Sequence, residues 1–132
     1  MKSCLIVEDS ALIREITVRI VKDLGLSPSE AASSREAVEQ CRAAPPDVIF
    51  LDWDLPMLGA LEVLHGVGGL EIERRPAIVL MATENDPQQF VLAKAAGAAF
   101  HVLKPFDRDS VAAVLVEAGV IEAEAASVVR SA

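Results

Sequence analysis

Neither of the two cysteines has a partner at metal-ligand spacing: Cys4 lies in the first apolar run, Cys41 in a helical pattern, and there is no CxxC. A zinc ribbon and a dithiol redox motif are thereby excluded, and two buried, inert thiols in a reducing cytosol are expected. Clustered base is missing as well. The 12 Lys and Arg are scattered among 20 Asp and Glu, and a net charge of −8 argues against direct nucleic-acid binding. No apolar run approaches the roughly 20 residues of a membrane span. The first one is broken by Glu8, Asp9 and Arg14, which rules out a signal-peptide core. A cytoplasmic chain without membrane insertion is the expectation. Low-complexity sequence is nearly absent and 52% of residues are hydrophobic, so a compact fold is expected rather than a disordered chain. A length of 132 residues suits one domain with its own core.

Apolar runs alternate with helical patterns along the chain. After Leu5-Ile6-Val7 and Glu8-Asp9, Ser10 can cap a helix with the stripe Ile13, Ile16, Ile20 and Leu24, ended by Gly25. Leu26 to Ala32, which contains Ser27, Pro28 and Ser29, is the least strand-like of the strand segments. Ser34 can cap a second helix through Ala43, stopped by Pro45-Pro46. Asp47 to Asp52 is a continuous apolar run between charges, as in a parallel strand covered on both faces. A third helix is expected over Ala60 to Val67, broken by Gly66, Gly68 and Gly69. Ala77 to Ala82 reads as the fourth strand, and Asp86-Pro87 opens a helix that ends near Gly97. Ala99 to Leu103 makes the fifth strand, and Val111, Val114, Leu115 and Ala118 are the stripe of the last helix. The expected division is a domain over residues 1–121 and a short tail or helical extension over 122–132. Five strands alternating with five helices imply an α/β fold with a parallel sheet covered on both faces. Right-handed crossovers favour the flavodoxin-like order 2-1-3-4-5.

In that order ligands bind at the carboxyl ends of the strands. Three apolar runs end there in charge: at Glu8-Asp9, at Asp52, and at Lys104-Pro105. Crowded carboxylates stay ionised only where a cation or a lysine offsets their repulsion, so the pattern points to a divalent-metal site around one reactive carboxylate. Taken singly, each position has a plainer role. Asp9 or Ser10 could be a helix cap, Asp52 a solvated strand end, and Lys104 a surface lysine.

From Leu5-Ile6-Val7-Glu8-Asp9-Ser10 through Asp52-Trp53-Asp54-Leu55-Pro56 to Lys104-Pro105-Phe106, the chain resembles the receiver domains of two-component response regulators, most of all the single-domain, chemotaxis-type regulators. The resemblance runs nearly end to end, and no appended output domain is expected. It implies a phosphoprotein in phosphorelay signal transduction rather than an enzyme, with self-phosphorylation from phosphodonors and self-dephosphorylation at most. Asp52 would accept a phosphoryl group from a histidine kinase or phosphotransfer protein. Asp9, Asp52 and the backbone carbonyl of Asp54 would hold Mg²⁺, with Glu8 acting through metal-bound water. Lys104 would sense the phosphoryl group, and Pro105 would follow it through a cis bond. A downstream protein would read the face of the fourth helix, fifth strand and fifth helix, with Phe90, Val91 and His101 among its members.

Three departures from the family pattern bear on switching. The fourth strand ends in Ala82 where the family has Thr or Ser; Thr83 follows one residue late and can substitute only if the strand has already ended. His101 stands at the aromatic switch position, equally readable as a half-exposed polar residue at a sheet edge. Ala60 replaces the usual Gly and would be strained at positive φ, so a different loop path is expected after Gly59. Asp54 and Glu84 add acidic side chains that would flank the phosphoryl position. The missing hydroxyl leaves open a pseudo-receiver, a protein–protein module without physiological phosphorylation. Asp52-Trp53-Asp54 also resembles the DxD motif of haloacid-dehalogenase-type phosphatases, although that motif belongs on a first strand and here follows the third.

Overall fold

The computed structural model describes residues 1–126. Five strands, β1 (Ser3–Val7), β2 (Ser27–Ala31), β3 (Val48–Asp52), β4 (Ala77–Ala82) and β5 (Phe100–Leu103), form one parallel sheet in the order β2-β1-β3-β4-β5. Between and after them run α1 (Ala11–Asp23), α2 (Ser34–Ala43), α3 (Gly59–Gly68), α4 (Pro87–Ala95), α5 (Arg108–Glu117) and a last short helix, α6 (Ala123–Ala126). The expected α/β order is thus observed. The part of the tail beyond residue 126 lies outside the described residues.

Successive strand side chains point to opposite faces, so each central strand feeds two cores. Leu5, Val7, Ile49, Leu51, Ile78 and Leu80 pack with Ala37 and Cys41 of α2 and Val63, Leu64 and Val67 of α3. Cys4, Ile6, Val48, Phe50, Val79 and Met81 pack on the other face with Val21 of α1 and Val111, Val114 and Leu115 of α5. The uninterrupted apolar sequences of β3 and β4 are the mark of this double burial.

Some local expectations shift. The buried line of α1 is Thr17, Val21 and Leu24, whereas Ile16 is 40% exposed and Ile13 and Ile20 are half-buried. Thr17 can lie inward because its hydroxyl donates to the Ile13 carbonyl at 2.7 Å, leaving mainly its methyl to pack. Ser33, not Ser34, caps α2 by accepting from the Glu36 N–H; the Ser34 hydroxyl instead reaches Glu62 on α3. Gly66 and Gly68 stay inside α3 rather than breaking it. At Gly66 the reason is packing, since a Cβ there would lie 2.6 Å from Val38 Cγ2. Ser10, Asp86 and Asp107 cap α1, α4 and α5, the last in a reciprocal box with Ser110.

Candidate functional site

β1, β3 and β5 all end at the same edge of the sheet, with β1 paired to β3 through Val7 and Leu51 and β4 to β5 through Ala82 and Leu103. At that edge the side chains of Asp52, the last residue of β3, and of Glu8 and Lys104, which directly follow β1 and β5, converge. Lys104 Nζ donates to Glu8 Oε2 at 2.9 Å and to Asp52 Oδ1 at 3.0 Å. Its side chain is 15% exposed, against 2% and 3% for the two carboxylates. The Asp54 N–H donates to the same Asp52 oxygen at 3.0 Å. Among the described residues no protein donor engages Asp52 Oδ2, which leaves that oxygen for other chemistry.

Oxygens from Glu8, Asp9 and Asp52 lie within 4.8 Å of one another. Glu8 and Asp52 are buried and Asp9 is exposed. An all-oxygen, all-anionic donor set with one open side suits Mg²⁺, which takes few protein carboxylates and keeps water on its remaining positions. The residues therefore fit the ion that the sequence suggests. Burial pushes the Glu8 carboxyl above its ordinary value, aided by the charge of Asp52 and opposed by the Lys104 hydrogen bond. Burial alone would lower the Lys104 ammonium; the hydrogen bonds and charges of Glu8 and Asp52 outweigh it and hold the ammonium above its ordinary value. One lysine thus faces more negative charge than it neutralises.

Around this centre the other expected residues take distinct places. The Lys104–Pro105 bond is cis, and the Lys104 N–H donates to the Ala82 carbonyl at 2.7 Å. Ala82 is 2% exposed at the end of β4, so no hydroxyl stands there. β4 has ended by Thr83, whose exposed hydroxyl donates to Asp54 Oδ2 at 3.2 Å. Glu84 is exposed nearby. His101 is exposed on β5 and stacks on Phe90 of α4, with ring centroids 3.9 Å apart. Phe90 is half-buried while its neighbour Val91 is 68% exposed, as adjacent positions on one helix require. Ala60 sits inside α3, and positive φ falls at Met57 and Leu58 of the preceding loop.

Two contacts go beyond what the residue pattern led one to expect. Trp53 Nε1 donates to Gln89 Oε1 at 2.9 Å, tying the residue beside Asp52 to α4. Arg14 Nη1 donates to the Glu8 carbonyl at 2.8 Å. The second could have been suspected, because long side chains near a helix start run back over the preceding turn.

No helix among the described residues is long and apolar enough to cross a membrane. Residues 4–116 match the family model of the response regulator receiver domain. The chain is 30% identical over 102 residues to the phosphate regulon transcriptional regulatory protein PhoB of Escherichia coli strain K12, covering 77% of this chain and 44% of PhoB. It therefore spans less than half the length of that relative. With the chemotaxis protein CheY of Thermotoga maritima it shares 27% identity over 115 residues, 86% of this chain and 94% of CheY. Among solved structures, the Vibrio cholerae chemotaxis response regulator CheY4 superposes with a TM-score of 0.82 at 29% identity, covering 89% of this chain and 98% of CheY4. The receiver domain of the Pseudomonas aeruginosa sensor histidine kinase PA1611, solved with magnesium in its active-site cleft, shares the fold at a TM-score of 0.79 and 23% identity, covering 89% and 98%. Strand order, converging strand ends and family match agree, and the chain belongs to the response regulator receiver domains of two-component signalling.

Proposed function

We propose that Asp52 is the phosphoacceptor of this receiver, taking its phosphoryl group from a histidine kinase or phosphotransfer protein. The observation that carries the reading is the double engagement of Asp52 Oδ1 by Lys104 and the Asp54 N–H, which orients the carboxylate and leaves Oδ2 as the nucleophile. A bond forms between an Asp52 oxygen and phosphorus as the donor's bond to phosphorus breaks, and the leaving group departs on the opposite side. Glu8, Asp9 and Asp52, with the Asp54 carbonyl, would hold Mg²⁺, which when bound offsets negative charge on the phosphoryl oxygens. The magnesium in the PA1611 receiver supports that assignment. Lys104 is placed to exchange its bond to Asp52 for one to a phosphoryl oxygen without leaving the cleft. A downstream protein would read the face of α4, β5 and α5, where Val91, His101 and Leu103 are exposed.

Trp53 adjoins the acceptor and reports on the site. Mg²⁺ titration followed by beryllofluoride or a small phosphodonor should change its fluorescence in two steps. The Asp52→Asn variant should lose the second step. A parent chain that responds to neither addition overturns the proposal and leaves a pseudo-receiver.

A further inference from the structure

We infer that Arg14 is a positioning residue for the candidate metal site, an inference that rests on the reading of Asp52 as a phosphoacceptor with Mg²⁺. Arg14 lies near the start of α1, one helical turn after the cap Ser10. Its side chain runs back over the turn that joins β1 to α1. Nη1 donates to the Glu8 carbonyl oxygen at 2.8 Å, and Nε pairs with Glu30 Oε1 of β2 at 3.0 Å. The Arg14 side chain is 20% exposed and its bond to the Glu8 carbonyl is partly buried, whereas Glu30 is 52% exposed and that pair lies at the surface.

Glu8 is held at four points. Its N–H donates to the Ala31 carbonyl of β2 at 3.1 Å, its carbonyl accepts from Arg14, its Oε1 accepts from the Ser10 N–H at 3.3 Å, and its Oε2 accepts from Lys104. Glu8 and Asp9 supply two of the three carboxylates of the cluster, and the backbone of this turn sets the position of both. Mg²⁺ demands near-ideal octahedral placement, so a turn that drifts degrades its site more than it degrades a packed core. Arg14 touches no carboxylate of the cluster and acts through the Glu8 backbone. Only a planar guanidinium can bond the carbonyl and Glu30 together with adjacent nitrogens of one rigid fork; a lysine ammonium is a compact point charge on a flexible stem.

The test titrates Mg²⁺ against Trp53 fluorescence in the full chain and in Arg14→Ala, Arg14→Lys and Glu30→Gln, with thermal midpoints in EDTA recorded alongside. Leu12→Ala, at a 66% exposed position of the same helix, is the control. Hydrogen-bonding partners one step outside a metal's ligands typically change its affinity by roughly 10–100-fold. Arg14→Ala should weaken Mg²⁺ about tenfold, Arg14→Lys should recover part of that loss, Glu30→Gln should fall between, and Leu12→Ala should bind as the parent does. Saturating Mg²⁺ should restore the full beryllofluoride response to Arg14→Ala, because Asp52 and Lys104 are untouched. Parent-like Mg²⁺ affinity in Arg14→Ala, whatever its thermal midpoint, overturns the inference. Should Arg14→Ala not fold, parent-like affinity in both Arg14→Lys and Glu30→Gln overturns it instead. A parent chain that ignores Mg²⁺ overturns the phosphoacceptor reading itself and is told apart because it fails before any variant is compared.

Discussion

The Thr83 hydroxyl donates to Asp54 Oδ2, so the hydroxyl that follows β4 is engaged by an acid two residues beyond Asp52 rather than aimed from the Ala82 position. Ala82 itself is buried and ends the strand that pairs with β5 next to Lys104. If phosphorylation at Asp52 is read out through a hydroxyl at the end of β4, this chain reads it weakly or by another route.

Replacing Ala82 by Thr puts a hydroxyl where the strand end faces the site. The added atoms enter a buried position, and overpacking typically costs about 1–3 kcal/mol, softened here by the strand preference of Thr. Backbone NMR shifts induced by beryllofluoride around His101 should be larger in Ala82→Thr than in the parent. Equal shifts would remove the missing hydroxyl as the cause of weak coupling.

Lys104 compensates two buried carboxylates at once, and its removal should be costly without metal. Breaking a buried ion pair by deleting one partner costs about 3–5 kcal/mol; partial exposure of the lysine reduces that toward about 2 kcal/mol for Lys104→Met. The same change removes the ammonium from Glu8 Oε2 and Asp52 Oδ1, the latter keeping its Asp54 N–H, so Mg²⁺ no longer competes with the lysine for them. Thermal melts in EDTA should show the loss, and saturating Mg²⁺ should raise the midpoint of Lys104→Met by more than it raises the parent's. An equal rise in both would mean that the lysine and the ion do not share these oxygens.

Much of this was legible in the residues because it depends on chain periodicity. The runs Val48–Asp52 and Ala77–Ala82 are too continuous for a half-exposed strand, and the charged ends of β1, β3 and β5 locate the edge where Glu8, Asp52 and Lys104 meet. Features set by side-chain direction were hidden. Thr17 lies in the α1 interface where its type suggests a surface, and Ile16 is exposed where its type suggests a core, because a hydroxyl that bonds its own helix buries cheaply. Gly66 reads as a helix breaker until Val38 is found against it. The Arg14 and Gln89 contacts cross between elements, and no spacing along the chain encodes them.

The two thiols make the alkaline limb of stability predictable. Burial pushes Cys4 up to about 12 and Cys41 up to about 11, against an ordinary value of 9.0. Above pH 9 the unfolded chain loses these protons while the folded chain keeps them, so the folded state binds more protons and stability falls as pH rises. Each thiol contributes a slope of up to about 1.4 kcal/mol per pH unit across that window. Lys104, also raised, adds loss of the same sign only above its own ordinary value of 10.5. Urea melts between pH 9 and 10.5 should therefore isolate the thiols, with a shallower slope in Cys41→Ala than in the parent. An unchanged slope would mean that Cys41 ionises equally in both states.

Gly66 offers a sharper test of the packing between α2 and α3. In an exposed helix interior Gly→Ala stabilises by about 1 kcal/mol through helix propensity. At Gly66 the new Cβ would stand 2.6 Å from Val38 Cγ2 and 3.2 Å from Cγ1, so the helices must part or Val38 must change rotamer. As a β-branched residue in a helix, Val38 has one strongly preferred rotamer and little freedom to yield. Overpacking of this kind costs about 1–3 kcal/mol, which exceeds the propensity gain, and Gly66→Ala should lower the unfolding free energy by about 1 kcal/mol. In Val38→Ala the clashing methyls are gone, and adding Gly66→Ala on that background should raise stability instead. A double-mutant cycle from chemical denaturation gives the coupling directly, and a value within the usual 0.3–0.5 kcal/mol of additivity would mean that the two positions do not touch.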